Sequence, residues 1–362
     1  MVTGIVYDDI YLQHRIGTHV ESHERLIAIM EFLKEKNLLD DKDYLLIKPR
    51  KATLDQIKYA HEESLINEVK EVSELAESTG HTQSLDMDTL VSGKTYEAGL
   101  YSVGGNLEAI DKIMSGELKN VFALVRPPGH HSNSYKCAGF CIFNNIAIGA
   151  EYLFREKGLE RVAIIDWDCH HGNGTQDIFY EGSKTGEVTF FSSHQDGRTL
   201  YPGSGFINEI GKGKGKGKII NFPMPPGSAE DVIMNFFDEI VDPTLSEFKP
   251  EFILISAGFD THWTDRLTNM GWTYQGPARY LDKIKSIAKK YADNRILITL
   301  EGGYEIDKQA KAVYNCLKVL NDDGENLIEE KLRRSDPDLL NYVDNKLIPK
   351  LKENLSNYWN CF

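Results

Sequence analysis

The chain offers little sulfur chemistry. Its five cysteines, Cys137, Cys141, Cys169, Cys316 and Cys361, are an odd number with no CxxC pair, so neither a disulfide framework nor a zinc knuckle is expected, and reduced thiols are. No apolar run approaches the ~18 residues that a membrane span needs. The opening MVTGIVYDDIYLQHRIGTH carries acidic residues early and lacks the basic and apolar segments of a secretory signal. These features predict a cytoplasmic protein without a membrane partner. Positive charge is also in deficit, with 41 Lys and Arg against 55 Asp and Glu and a net charge of −14. Such a surface repels nucleic-acid phosphates and favours cationic small molecules or basic protein segments, so no nucleic-acid partner is expected.

What is present has the balance of a folded soluble protein, 41% hydrophobic and 27% charged. A chain of 362 residues can form one large or two ordinary domains. After a short strand over residues 4–7, residues 21–36 put Leu26, Ile29, Met30 and Leu33 at helical spacing, and helices are predicted over 54–60 and 65–76. From Val121 onward, short β-branched runs (VFALV, RVAIIDW, VTFFS, KIINF, FILIS, RILITL) alternate with helical stretches at 145–155, 231–248, 277–291 and 307–320. That alternation predicts an open parallel sheet covered by helices on both faces, an α/β fold without a separable linker.

Loops at the carboxyl ends of parallel strands are where open α/β sheets hold ligands. Five polar clusters fall at such ends: RPPGHH after VFALV, DWDCHHGNG closing RVAIIDW, SSHQDG after VTFF, GFDTHWTD after FILISA, and EGGY after RILITL. One other segment stands out, GKGKGKGK over residues 211–218. It reads either as a polyanion-binding loop or as a solvated hairpin or loop between strands; the acidic remainder of the chain favours the second, and no site role is assigned to it.

Within DWDCHH, alternation along a strand end aims Asp166, Asp168 and His170 to one side. Such an array is a candidate metal site, and Asp260, ending FILISAGFD, is the best supplier of a further ligand. Catalytic sites keep a position open beyond their protein ligands, and two carboxylates with one imidazole suit Zn²⁺, or Fe²⁺ or Co²⁺. His130 and His131 follow stiff Pro127 and Pro128 and flexible Gly129, and read better as general base and electrostatic partner of a hydrolysis than as further ligands. Tyr304, after two glycines, can present its phenol to a developing oxyanion. A lone histidine or tyrosine is more often a packing residue; the convergence of five strand ends is what sets these apart.

RPPGHH followed by GFCIFNN, DWDCHHGNG, GFD and EGGY, in this order, resembles the histone deacetylase and acetylpolyamine amidohydrolase superfamily, in a prokaryotic form. The likeness runs from about residue 4 to 320, with a helical C-terminal extension over about 321–362, all in one domain of 1–362. Near the start, HVESHERL is similar to the family's H-P-E-x-P-x-R-L segment, with Val20 and His23 where prolines are usual, a departure expected to be structural. The resemblance implies the arginase/deacetylase fold with a mostly parallel eight-stranded sheet, and Asp168, His170 and Asp260 as zinc ligands. It implies His131 as general base and acid, His130 as mainly electrostatic, and Asp166 as the acceptor that orients His130. Asn173, where class I enzymes carry Asp, would partner His131 and makes the chain class II-like. Tyr304 is retained where some weakly active class II relatives have His, which implies competent catalysis. Phe140, Gly139, Tyr201 and Leu267 would wall the substrate tunnel. Backbone groups around Asp166, Asp168 and His170, with Ser192, would hold a structural K⁺.

The function implied is a metal-dependent deacetylase that removes acetyl or a related acyl group from an amine, such as acetyl-lysine in a protein. An acetylpolyamine amidohydrolase acting on small acetylated amines is the alternative. Leu267 stands near the rim position where a polyamine-selective relative carries an acidic residue, which weakens that alternative, although the acidic surface suits a polycation. A binuclear arginase-type hydrolase would need more bridging carboxylates than one D-x-D-x-H supplies. A non-catalytic acyl-amine binder would be expected to have lost a ligand, His131 or Tyr304. Relatives commonly form oligomers, so a homo-oligomer is an open expectation for which the sequence offers no readable interface.

Overall fold

The computed structural model of the protein describes residues 2–362. The strands are β1 (Thr3–Val6), β2 (Tyr44–Ile47), β3 (Gln83–Ser84), β4 (Leu90–Val91), β5 (Asn120–Ala123), β6 (Arg161–Asp166), β7 (Glu187–Gln195), β8 (Ile219–Met224), β9 (Phe252–Ala257) and β10 (Ile296–Leu300). Eight form one sheet in the order β2-β1-β5-β10-β9-β6-β7-β8, while β3 and β4 make a separate antiparallel hairpin. Every neighbour pairing in the large sheet is parallel, so the "mostly parallel" expectation becomes wholly parallel. The continuous apolar runs explain this, since FILISA and ILITL are buried at every position and can sit only in strands covered on both faces.

The helices are α1 (Glu24–Glu35), α2 (Leu54–Ile57), α3 (Glu63–Thr79), α4 (Thr95–Met114), α5 (Asn145–Lys157), α6 (Asn173–Phe179), α7 (Glu230–Phe236), α8 (Asp242–Phe248), α9 (Gly276–Tyr291), α10 (Ile306–Leu320), α11 (Pro337–Tyr342) and α12 (Ile348–Leu355). Helices α4 and α5 pack on each other and on central strands, and α1, α9 and α10 form a second packed set. None of the described helices is long and apolar enough to cross a membrane.

Several boundaries differ from the sequence-based expectations, for local reasons. Helix α1 begins at Glu24 rather than 21, because Glu21 is drawn into the interior by Arg25 and Arg126. Helix α2 stops at Ile57 after a single capped turn, with Thr53 and Gln56 satisfying each other's backbone N–H. The expected helix 231–248 divides into α7 and α8 around wider turns at Phe237–Val241, next to the Pro at the start of α8 that cannot donate to the preceding turn. Strand β2 and helix α4 carried no clear sequence signal. Leu45 and Leu46 of edge strand β2 are exposed, and α4 is interrupted by glycines that weaken a helical pattern. Gly104 is required there: a Cβ would stand 1.9 Å from the Arg50 carbonyl oxygen.

Residues 211–218 connect parallel strands β7 and β8, so they form a loop and not a hairpin. Lys212 and Lys218 pair there with Glu181 and Glu187. The C-terminal segment lies against the body, with Val343, Leu347, Leu351, Leu355 and Trp359 buried. Trp359 Nε1 donates to the Gly217 carbonyl at 2.7 Å.

Candidate active site

The strand order reverses across the middle of the sheet, and the loops that leave β5, β6, β9 and β10 meet at their carboxyl ends, the crevice this topology makes available for a ligand. Asp166 is the last residue of β6; Asp168 and His170 lie just beyond it in a bend rather than on the strand, and still converge. His170 Nδ1 is 3.1 Å from Asp168 Oδ1 and 2.9 Å from Asp260 Oδ2. All three residues are buried, and one potential ligand atom from each lies within 4.8 Å of the others.

The backbone approaches this cluster closely. A Cβ on Gly302 would be 2.6 Å from both Asp168 Oδ2 and Asp260 Oδ2, and one on Gly258 would be 2.1 Å from Asp168 Oδ2. The Gly302 N–H donates to Asp168 Oδ2 at 2.8 Å and the Cys169 N–H to Asp260 Oδ1 at 2.9 Å. These bonds orient the two carboxylates, as groups around metal ligands do.

Burial followed by Asp168 lifts the Asp260 carboxyl to about 7. Burial opposes charge on His170, yet hydrogen bonds to Asp168 and Asp260 outweigh it and carry the imidazole to about 10. Two carboxylates in a dry pocket thus demand a positive charge between them. A divalent cation meets the same demand, and two oxygens with one imidazole nitrogen form a suitable donor set. The residues present therefore fit a metal.

Above the cluster stand the two histidines of RPPGHH. His130 Nδ1 lies 3.0 Å from Asp166 Oδ2, and His131 Nδ1 lies 2.7 Å from Asn173 Oδ1, at the first turn of α6. Burial works against charge on His130, but Asp166 and Asp168 overcome it and raise the imidazole to about 10. Burial, then His130 and His170, drive His131 well below its ordinary value. One histidine is held cationic and its neighbour neutral, with an unprotonated nitrogen on His131 when Nδ1 donates to Asn173.

A cavity of about 220 Å³ opens over these groups, and Gly139, Phe140, Tyr201, Leu267, His130, His131, His170 and Tyr304 all line it. The Tyr201 ring meets His131 edge-on at 5.2 Å and Phe140 meets Tyr304 at 6.0 Å. Gly139 at φ +53° and Phe140 at φ +69° turn the chain through two successive left-handed residues. Only glycine fits first, because a Cβ there would be 2.3 Å from His131 Cδ2. Burial, then Asp260, raises the Tyr304 phenol well above its ordinary value, so it stays a donor. Ser192 pairs in register with Asp166 across β6 and β7. Its Oγ lies 2.9 Å from His194 Nδ1.

All the residues singled out from sequence thus gather at one end of the sheet. Sequence reasoning missed Asp88 and Leu200 on the cavity wall. It also missed Glu301, whose Oε2 accepts the Gly129 and His130 N–H groups at 2.8 and 3.2 Å, and Arg25, whose Nε donates to the Gly303 carbonyl at 2.8 Å. Glu301 was within reach, as the first letter of EGGY, and so was Arg25, as the arginine of HVESHERL; Asp88 carries no local signal.

Fold and site together define a single-domain α/β protein of the arginase/deacetylase fold with a buried Asp–His–Asp donor set. The histone deacetylase domain family matches residues 19–320, and the chain belongs to that family. It is 38% identical to a probable deacetylase of Archaeoglobus fulgidus over the full length of both chains. It is 34% identical to histone deacetylase 14, chloroplastic, of Arabidopsis thaliana, over 85% of this chain and 74% of that one. Among solved structures, the HDA15 HD domain superimposes with a TM-score of 0.86 at 28% identity, covering 100% of this chain and 98% of the other.

Proposed function

We propose that the protein is a zinc-dependent deacetylase that hydrolyses the acetyl amide of an acetylated amine, with acetyl-lysine in a polypeptide as the preferred substrate. The observation that carries this reading is that neutral His131 and protonated Tyr304 face one apolar-walled cavity above the Asp168, His170 and Asp260 cluster. Zn²⁺ bound by those three residues would supply a Lewis acid, and Fe²⁺ or Co²⁺ could fill the same role.

This chain's own groups account for the rest. Asn173 holds the Nδ1 proton of His131, leaving Nε2 to accept a proton from the attacking water and later return it to the departing amine nitrogen. His130, kept cationic by Asp166, favours negative charge beside it. The Tyr304 hydroxyl donates to the carbonyl oxygen as it gains charge. Phe140, Tyr201, Leu200 and Leu267 grip a methylene stem and exclude water. Leu267 places no charge at its stretch of the wall, which favours a lysine side chain over a polyamine, whereas the Asp88 carboxylate on the same wall suits a cation, so the preference rests on the measured ratio of the two substrates. Ser192 and the backbone around Asp166, Asp168 and His170 are assigned to K⁺.

The test is a comparison of kcat/KM for acetate release from an acetyl-lysine peptide and from a monoacetylated diamine. A ratio above about tenfold for the peptide, equivalent to ~1.4 kcal/mol, supports the assignment. The reverse ratio overturns the choice of substrate.

A further inference from the structure

Tyr304 follows two glycines, so its phenol cannot be aimed by local backbone stiffness. Gly303 itself sits at φ +115°, a region open to glycine and costly for other residues. The turn is instead tied from outside at three consecutive residues. The Gly302 N–H donates to Asp168, the Gly303 carbonyl accepts from Arg25 at 2.8 Å, and the Tyr304 N–H donates to Asp265 Oδ2 at 2.8 Å.

The third tie differs from the other two. Asp265 Oδ1 accepts the Leu267 N–H at 3.0 Å, so one carboxylate holds the backbone of the phenol donor and the backbone of a cavity-wall residue. Asp265 is 5% exposed and belongs to the loop after β9 that also carries Asp260. Thr268 Oγ1 closes that loop by donating to the Asp260 carbonyl. A single rigid loop thus bears one member of the donor cluster, one wall of the cavity and the clamp on Tyr304. A buried carboxylate with both oxygens on backbone N–H groups is a strong constraint, because charge-assisted bonds are about twice as strong as neutral ones.

We propose that Asp265 is the positioning residue for Tyr304, setting the phenol relative to Leu267 and Asp260 so that its hydroxyl reaches the acyl oxygen of a substrate whose stem lies against Leu267. The inference rests on the deacetylase reading. It requires that removing Asp265 act through Tyr304 and not through the fold or the metal.

The experiment is a double-substitution cycle on the zinc-loaded protein with Asp265→Ala, Tyr304→Phe and both together. Asp265→Asn serves as the shape-conserving variant, since an amide oxygen can accept from only one of the two N–H groups. The readouts are kcat and KM on an acetyl-lysine peptide, zinc per chain, and calorimetric Kd for a short alkyl hydroxamate. Asp265→Ala is expected to lower kcat roughly 10- to 100-fold, the usual range for groups that orient a site, with KM and zinc content little changed. In the Tyr304→Phe background the same change should cost less than about threefold, and hydroxamate affinity should show the same coupling. Asp265→Asn should fall between, and it carries the cycle if the alanine variant does not fold. Equal losses in both backgrounds overturn the proposal. A parent protein that holds one zinc yet neither cleaves the peptide nor binds the hydroxamate, or a Tyr304→Phe variant as active as the parent, removes the deacetylase reading and this inference with it.

Discussion

His131 Nδ1 lies 2.7 Å from Asn173 Oδ1, and that neutral acceptor separates the two adjacent histidines chemically. His130 faces the full carboxylate of Asp166 and is held charged; burial, then His130 and His170, keep His131 neutral, and its amide partner brings no charge to offset them. Side by side, with rings 4.0 Å apart, the pair provides a fixed cation and a free base, two roles a hydrolytic site needs at neutral pH.

Replacing Asn173 by Ala removes the acceptor that fixes the His131 tautomer. A fall in kcat of roughly 10- to 100-fold with KM nearly unchanged is expected, measured by steady-state kinetics. Asn173→Asp keeps an acceptor and should retain more activity than the alanine variant. Equal activity of the parent and Asn173→Ala would show that the contact does not orient the base.

Gly139→Ala should injure the site more than its size suggests. The new Cβ meets His131 Cδ2 at 2.3 Å at a φ of +53°, so either the imidazole or the chain must move, at a cost of about 1–3 kcal/mol. A lower Tm together with loss of activity is the expected result. An unchanged Tm and rate would mean that the loop relaxes freely.

Metal binding should be visible as stability. A ligand held at a thousandfold excess over its Kd adds about 4 kcal/mol, so chelation should lower Tm and one equivalent of Zn²⁺ should restore it. Asp260→Ala should abolish this response. Gly302→Ala should weaken it, because its Cβ would crowd Asp168 and Asp260 at 2.6 Å. Two equivalents bound per chain would favour a binuclear site instead.

Stability should fall in mild acid through His61. Burial lowers its pKa to about 4. Nδ1 lies 2.8 Å from the Asn133 carbonyl oxygen and Nε2 accepts the Asn144 N–H at 2.8 Å, so protonating Nε2 breaks the second bond. The unfolded chain takes up this proton near pH 6.5 and the folded chain only near 4, so the stabilisation is complete above about 6.5 and is lost as pH falls towards 4. The full contribution is on the order of 3 kcal/mol. Urea denaturation at pH 7 and pH 5 should show the decline, and His61→Gln should flatten it; equal slopes for parent and variant would exclude His61.

Much of this arrangement was legible before the fold was known. The central strands announced themselves as unbroken β-branched runs, and the reactive residues fell at their carboxyl ends, where an open parallel sheet must place them. What escaped was set by contacts that no local pattern records. Arg25 in HVESHERL and Asp265 in GFDTHWTD stood in view, yet their partners did not: the Arg25 tie to Gly303 spans 278 residues, Asp265 acts through backbone groups of Tyr304 and Leu267, and α4 is a helix whose glycines serve close packing. Edge strand β2 was missed because half of its short YLLI run faces solvent.

The most direct test is acetate release from an acetyl-lysine peptide by protein carrying one zinc per chain, with Tyr304→Phe measured beside it. The account predicts hydrolysis by the parent and a loss on the order of a hundredfold in kcat for the variant, the usual cost of removing one oxyanion donor. No acetate from the zinc-loaded parent, or equal rates for the two proteins, would contradict it.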